Sequence, residues 1–431
     1  MRAVYILYRV FFFVLFSAIL FQDFFLQEYI GSIARSPVVF IVPILFIAVI
    51  IIENKFILHI IPKYFLLYVL VTIGTALIMF GITILFVTDT NMYVYDEWMP
   101  LKLIKTASYN IVFFLTAYTL YVLAARISLR YIYYVLLFWF LVMFLYGLVQ
   151  YFFFVRIPII NATFTGEIDR IPLIASEPST AAAFFIIVFA LLMALRVYLQ
   201  KSTFVTVILI AIALATFMLV GSKASFAFLP IAVLWSIRKR FTPKMFLYAA
   251  IIIIPVIAFF LLVVVPQLAT DLESFNSISS RSTTWIAAMQ SFFMYPLGEG
   301  YGTYMVYYPK LLFPINDFLV DLTGIPLLTN ELTEMVDTGV NLSPKAGIPS
   351  EMVFNGISAI VFLIYLGKSF NKTLHEIQMP AVKIMLSFAA CFIFLELLLS
   401  VAGETAYIYL MIFVLAEKLA KSNTLIFTTQ H

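Results

Sequence analysis

The sequence predicts an all-α integral membrane protein, a polytopic bundle of about twelve transmembrane helices with one large outward-facing loop that holds short helices. Three observations predict it. First, the chain is 64% hydrophobic and only 11% charged, with mean hydropathy +1.08, whereas soluble domains carry roughly 25% charged residues. Second, apolar runs long enough to cross a ~30 Å hydrocarbon core, about 20 residues each, recur along nearly the whole chain. Third, runs such as 205–220 and 248–265 are apolar on every face, unlike the ~10-residue alternation of a membrane barrel strand.

Taken in order, the first span covers 4–21 and reads as a retained signal anchor, because no small-residue cleavage pattern follows it. Further spans are expected at 37–52, 64–87, 109–125, 131–154, 179–198, 203–220, 223–237 and 245–265, then at 351–367, 383–400 and 404–418. The segments on one side gather Arg126, Arg130, Arg196, Arg238, Lys368 and Lys383 against only Glu53, Glu376 and Glu417, so the positive-inside rule places that side, and both termini, in the cytoplasm. The organisation expected is a block of nine spans over 1–265, a large loop over 266–350, and three spans with a tail over 351–431.

Within the large loop, Ser280 can cap a helix whose stripe is Arg281, Trp285, Ala288, Met289 and Phe292, one face of a helix that Pro296 then stops. A second short helix is expected over 329–337, ending at Gly339, with Leu328, Leu332 and Met335 turned inward. The sequence contains no internal repeat, which argues against the inverted-repeat architecture of many transporters.

Candidate chemistry lies at outward-facing helix entrances. Glu177, Pro178 and Ser179 open one span, Gly221, Ser222 and Lys223 another, and Pro349, Ser350 and Glu351 a third. All three run inward, so their positive dipole ends face the outer surface, where an anionic head group would sit. Arg170, Lys223, Arg281 and Lys345 are the cations placed to complete an anion site, arginine being suited to phosphate by its planar, permanently charged fork. The plainer readings are that such cations snorkel to lipid head groups, that Glu177 and Glu351 only favour the helix dipole, and that the Trp285 stripe is packing. Glu396 and Arg9 are the one acid and the one base expected mid-span. The single cysteine, Cys391, lies in an apolar run, and His59, His375 and His431 fall on the cytoplasmic side, so no metal site, and no cofactor, is expected.

The run Ser280, Arg281, Ser282, Thr283, Thr284, Trp285, followed by Tyr295, Pro296, Leu297, Gly298, Glu299, Gly300, Tyr301 and Gly302, resembles the superfamily of bacterial O-antigen polymerases (Wzy-type) and O-antigen ligases. The similarity extends to Ser176–Ser179, to Gly221–Ser225 and to Ser350–Ile357. The resemblance implies a multi-pass protein of the bacterial inner membrane with a periplasmic loop, performing metal-independent glycosyl transfer. Its substrate would be an undecaprenyl-diphosphate-linked glycan, polymerised from single repeat units, with membrane lipid and a chain-length regulator protein as further partners and no nucleic acid. On that reading Arg281 holds the departing diphosphate, Arg170, Lys223 and Lys345 assist, Glu177 or Glu351 accepts the proton of the attacking hydroxyl, and Trp285 and Tyr301 contact substrate. Ligases of the superfamily usually carry a histidine about eleven residues before the glycine matching Gly356. Here that place holds Lys345, which favours polymerase over ligase. A ligase, or a flippase or other transporter of lipid-linked oligosaccharide, is the alternative.

Overall fold

The computed structural model describes residues 2–30, 32–86, 92–95, 97–154, 157, 171–175, 177–238, 276–324, 329–339, 342–400 and 406–428. Almost all of them are helical, and the only sheet among them is a two-stranded hairpin, β1 (Tyr93–Val94) with β2 (Glu97–Trp98). Among the described residues, seven helices are long and apolar enough to cross a membrane. They are α1 (Arg2–Leu20), α4 (Ile60–Phe86), α5 (Met99–Arg126), α6 (Leu129–Phe153), α7 (Pro178–Tyr198), α8 (Thr203–Val220) and α16 (Pro380–Leu399). Two shorter apolar helices, α3 (Val38–Glu53) and α9 (Lys223–Ile237), accompany them, and α2 is the single turn Gln27–Ile30. The expected span over 245–265 lies outside the described residues.

The packing is that of a multi-pass membrane protein. The hydrophobic window of α7 is 89% buried, while those of α4 and α8 are only 28% buried, so α7 is the central helix and the others turn apolar side chains such as Leu85, Phe86, Phe204 and Met218 outward. A water-facing surface rarely carries so much contiguous apolar area, whereas lipid accepts it. Ala181, Ala182 and Ala183 let neighbours approach α7 closely. α16 packs on α7 and α9, and α5 packs on α3 and α4. At one end of the bundle polar ties close the helix pairs: Arg126 grips Glu53 through Nε at 2.7 Å, Tyr8 donates to the same carboxylate at 2.5 Å, and buried Arg196 donates to Thr206 Oγ1 at 2.7 Å and Tyr133 OH at 2.8 Å.

The stretch expected as the large loop folds into α10 (Asn276–Met294), α11 (Tyr304–Tyr307), α12 (Pro309–Thr323), α13 (Asn330–Thr338) and α14 (Gly347–Asn355), with α15 (Ile357–Glu376) and α17 (Leu410–Thr428) on either side of α16. Its core, built from Ala287, Ala288, Tyr304, Leu312, Leu332, Met335 and Val353, is shared with α4 and α5 through Ala76, Met99 and Ala107. α13 closes at Gly339 in the left-handed region.

Three expectations need correction. α10 begins at Asn276, so Ser280 is inside the helix and its hydroxyl donates to Glu331 rather than capping. The buried face of α10 is the small-residue set Ser280, Thr283, Thr284, Ala287, Ala288 and Ser291, because α12 and α14 pack closely on it; Arg281 and Trp285 flank that face. The span expected at 351–367 is two helices instead, divided at Gly356, whose φ of 52° and ψ of −133° no helix can contain.

Candidate functional site

A cavity of about 490 Å³ opens at the end of the bundle opposite the Glu53–Arg126 tie, lined by Arg35, Lys102, Lys105, Glu97, Glu177, Arg281, Glu331 and Lys345, with hydroxyls from Thr106, Tyr109, Thr180 and Ser350. Among the described residues, five basic side chains thus face three acids. Of the residues singled out in the sequence, Glu177, Arg281 and Lys345 meet here, although more than one hundred residues separate the first from the second along the chain.

Each arrives by a local cause. Glu177 is the residue before α7, with Pro178 at the first helical position; its side chain makes no capping bond to the helix, and Ser179 Oγ lies 3.4 Å from its Oε2. Arg281 and Trp285 are one turn apart on α10, and both donate to backbone carbonyls at the end of α16: Arg281 Nη1 to Ser400 O at 3.0 Å and Trp285 Nε1 to Leu398 O at 3.2 Å. Those carbonyls have no intrahelical partner and carry the negative end of the helix dipole, so a cation there is doubly suited. Arginine carries five donors, of which one serves the helix end here. Lys345 pairs with Glu331, which also receives Ser280. Ser350 Oγ folds the 344–346 loop onto α14 by donating to Pro344 O at 2.7 Å and Ala346 O at 2.9 Å. Across the cavity Lys102 and Lys105 hold Glu97 at 2.7 and 3.5 Å. Partial burial pushes the Glu97 carboxyl up, and the two lysines more than offset it, leaving its pKa below the usual carboxylate value.

A scan against protein-family models returns no match for this chain, and a search of curated proteins returns none either.

The remaining candidates lie elsewhere. Glu351 is in the middle of α14 and faces a second, mainly apolar cavity of about 300 Å³, where it accepts from Tyr68 OH at 2.5 Å and Asn355 Nδ2 at 2.6 Å. Tyr301 is buried and joins the same network, accepting from Asn355 at 2.9 Å and from Asn110. Lys223 is the first residue of α9 and does not line the charged cavity. Arg170 lies outside the described residues. Glu396 is in the last turn of α16 rather than mid-span, and Ser225 Oγ donates to its Oε1 at 2.7 Å, tying α16 to the start of α9.

Three cations of the cavity, Arg35, Lys102 and Lys105, were not anticipated. For the lysines a signal exists: Lys102, Lys105, Thr106 and Tyr109 stand at i, i+3, i+4 and i+7, a polar face of one helix. It is hidden when the span is started at 109, since α5 runs three turns further out. Arg35 ends a 3₁₀ turn over Ser32–Arg35 and is held by Gln22 O at 3.2 Å, a tertiary placement with no local pattern. Taken together, the cations and hydroxyls of the cavity are chemically suited to a phosphate-bearing ligand.

Proposed function

We propose that the protein is a surface-polysaccharide polymerase of the O-antigen type, acting on undecaprenyl-diphosphate-linked oligosaccharide at the periplasmic face of a bacterial inner membrane. Twelve spans, cytoplasmic termini and a periplasmic 266–350 segment belong to this reading. The observation that carries it is the gathering of Arg281, Lys345 and Glu177 in one cation-rich cavity at a helix-framed end of the bundle. In the reaction a hydroxyl of the acceptor's terminal sugar attacks the anomeric carbon of the donor glycan, the bond from that carbon to the diphosphate oxygen breaks, and configuration inverts. Arg281 and Lys345, with Lys102 and Lys105 opposite, stabilise the charge that collects on the departing lipid diphosphate. Glu177 takes the hydroxyl proton. The apolar cavity beside the site, whose lining shares Ala406 with it, accommodates the first isoprene units of the carrier.

The test is a gel of surface polysaccharide from the source bacterium lacking this gene, complemented with wild type or with Arg281→Ala. Core bearing single repeats, restored to a ladder by wild type alone, is expected; a full ladder from Arg281→Ala, or bare core in the deletion strain, refutes the assignment. The two carboxylates separate in the same assay. Glu177→Gln should lower polymerisation by about 10²–10⁴-fold, the usual worth of general-base catalysis. Glu351→Gln keeps an acceptor for Tyr68 and should retain most activity.

A further inference from the structure

At the opposite end of the bundle a cavity of about 730 Å³ runs between α9, α15 and α16. Its walls and its mouth differ in kind. Ile231, Trp235 and Phe394 line it and are each about half exposed, at 50, 52 and 51%, so it opens sideways along a face of the bundle that elsewhere meets lipid. Its mouth carries Arg238 from the end of α9 and Lys383 from the start of α16, with His375 from the end of α15 beside them, and among the described residues no aspartate or glutamate lines it.

We infer that this groove binds an anionic phospholipid of the adjoining leaflet, phosphate at the Arg238–Lys383 mouth and one acyl chain along the wall of α16. The inference does not rest on the reading of the charged cavity. Three arguments support it. Its lining residues on α16 run from Pro380 to Leu395, a rise of about 22 Å at ~1.5 Å per residue, which is the depth of one leaflet including its head groups. The basic side chains are held in place before any ligand arrives: the Arg238 guanidinium lies 3.7 Å over the Trp235 ring and donates to Trp235 O at 2.6 Å, and Lys383 Nζ donates to His375 O at 3.2 Å. Finally, cations that merely snorkel are scattered around a bundle, whereas here α9 and α16 deliver Arg238 and Lys383 to one mouth above an apolar slot. A zwitterionic lipid would gain less there, because its own ammonium group meets the same positive charge.

The chain contains a single cysteine, Cys391, and it lines this groove, so occupancy can be read from its rate of modification. Full-length protein in detergent is titrated with dioleoyl phosphatidylglycerol or dioleoyl phosphatidylcholine, and Cys391 is reacted with a small maleimide. Phosphatidylglycerol is expected to protect Cys391 at about thirtyfold lower concentration than phosphatidylcholine, in line with two favourable charges, and Arg238→Gln combined with Lys383→Gln should erase the difference. Native mass spectrometry should show the same preference in the lipid that stays bound. Equal protection of the wild type by both lipids overturns the inference, as does a double variant that keeps the preference, or protection by a polyprenyl phosphate alone. If the double variant does not fold, the comparison of the two lipids on the wild type still decides, since their acyl chains are identical.

Discussion

Replacing Gly356 by alanine is expected to destabilise the protein by several kcal/mol and to take the charged cavity apart. Gly356 divides α14 from α15 with φ 52° and ψ −133°, a region that residues with a Cβ enter only at about 1–3 kcal/mol. The space is also taken: an added Cβ would stand 2.1 Å from Pro296 O and 2.4 Å from Gly298 N, and both are backbone atoms that cannot swing away. They belong to the turn that closes the end of α14, where Glu299 N donates to Val353 O at 2.7 Å, Gly300 N to Phe354 O at 3.0 Å, and Ile357 N to Pro296 O at 2.8 Å. Pushing the turn out would free helix-end carbonyls and displace α14, the helix that Ser350 uses to hold the Lys345 loop. Thermal unfolding in detergent checks this, with Gly81→Ala as the control. An added Cβ at Gly81 meets nothing within 4 Å, so that variant should be neutral or gain about 0.5–1 kcal/mol. A Gly356→Ala protein as stable as wild type would show that the helix break is not required.

Glu299 sets the second large effect, on pH. It is fully buried in the same turn, and Ser291 Oγ donates to its Oε1 at 2.6 Å. Burial pushes its carboxyl up from 4.5 to about 8, against the pull of the Ser291 hydrogen bond. The folded state therefore holds a proton that the unfolded chain releases from about pH 4.5 upward. Stability from this group is fully present below that pH and is lost as pH rises to about 8, at up to about 1.4 kcal/mol per pH unit, after which it levels off. Glu299→Gln, which keeps an acceptor for Ser291 and cannot ionise, should flatten the unfolding temperature between pH 5 and about 8. A wild-type profile as flat as the variant's would mean that Glu299 ionises in the folded protein at its ordinary pH.

What the sequence made legible follows from what is local. Apolar runs located α8 and α9 to the residue and the other long helices within about one to three turns at either end, and the Asn330–Thr338 helix was readable from its periodic Leu332 and Met335 and its closing Gly339. Glu177 and Lys345 stood out because each lies just before a helix start, and Arg281 because it sits in the polar run 280–284, in a charge-poor chain where a polar residue near the bilayer is conspicuous. The placement of Glu351 at a helix entrance fails through helix phase. Starting a span at 351 makes it a helix entrance, whereas α14 begins at Gly347 and carries Glu351 one turn from Asn355, on the face toward Tyr68. The division at Gly356 had no local signal beyond the glycine itself, since its cause is the approach of Pro296 from sixty residues earlier. Arg35 is likewise invisible locally, because only the fold brings it beside Lys102.

The cavity wall begins at Arg35 and is completed at Ala406. A site drawn from residues some 370 positions apart depends on long-range contacts, and such contacts form late because the loops they close are long. During synthesis the earlier helices enter the membrane with one side of the cavity missing, and even a ribosome that has inserted α16 has yet to supply its last wall. A chain cut short before Ala406 lacks a residue of the cavity wall, so the complete cavity forms only after that residue has been made.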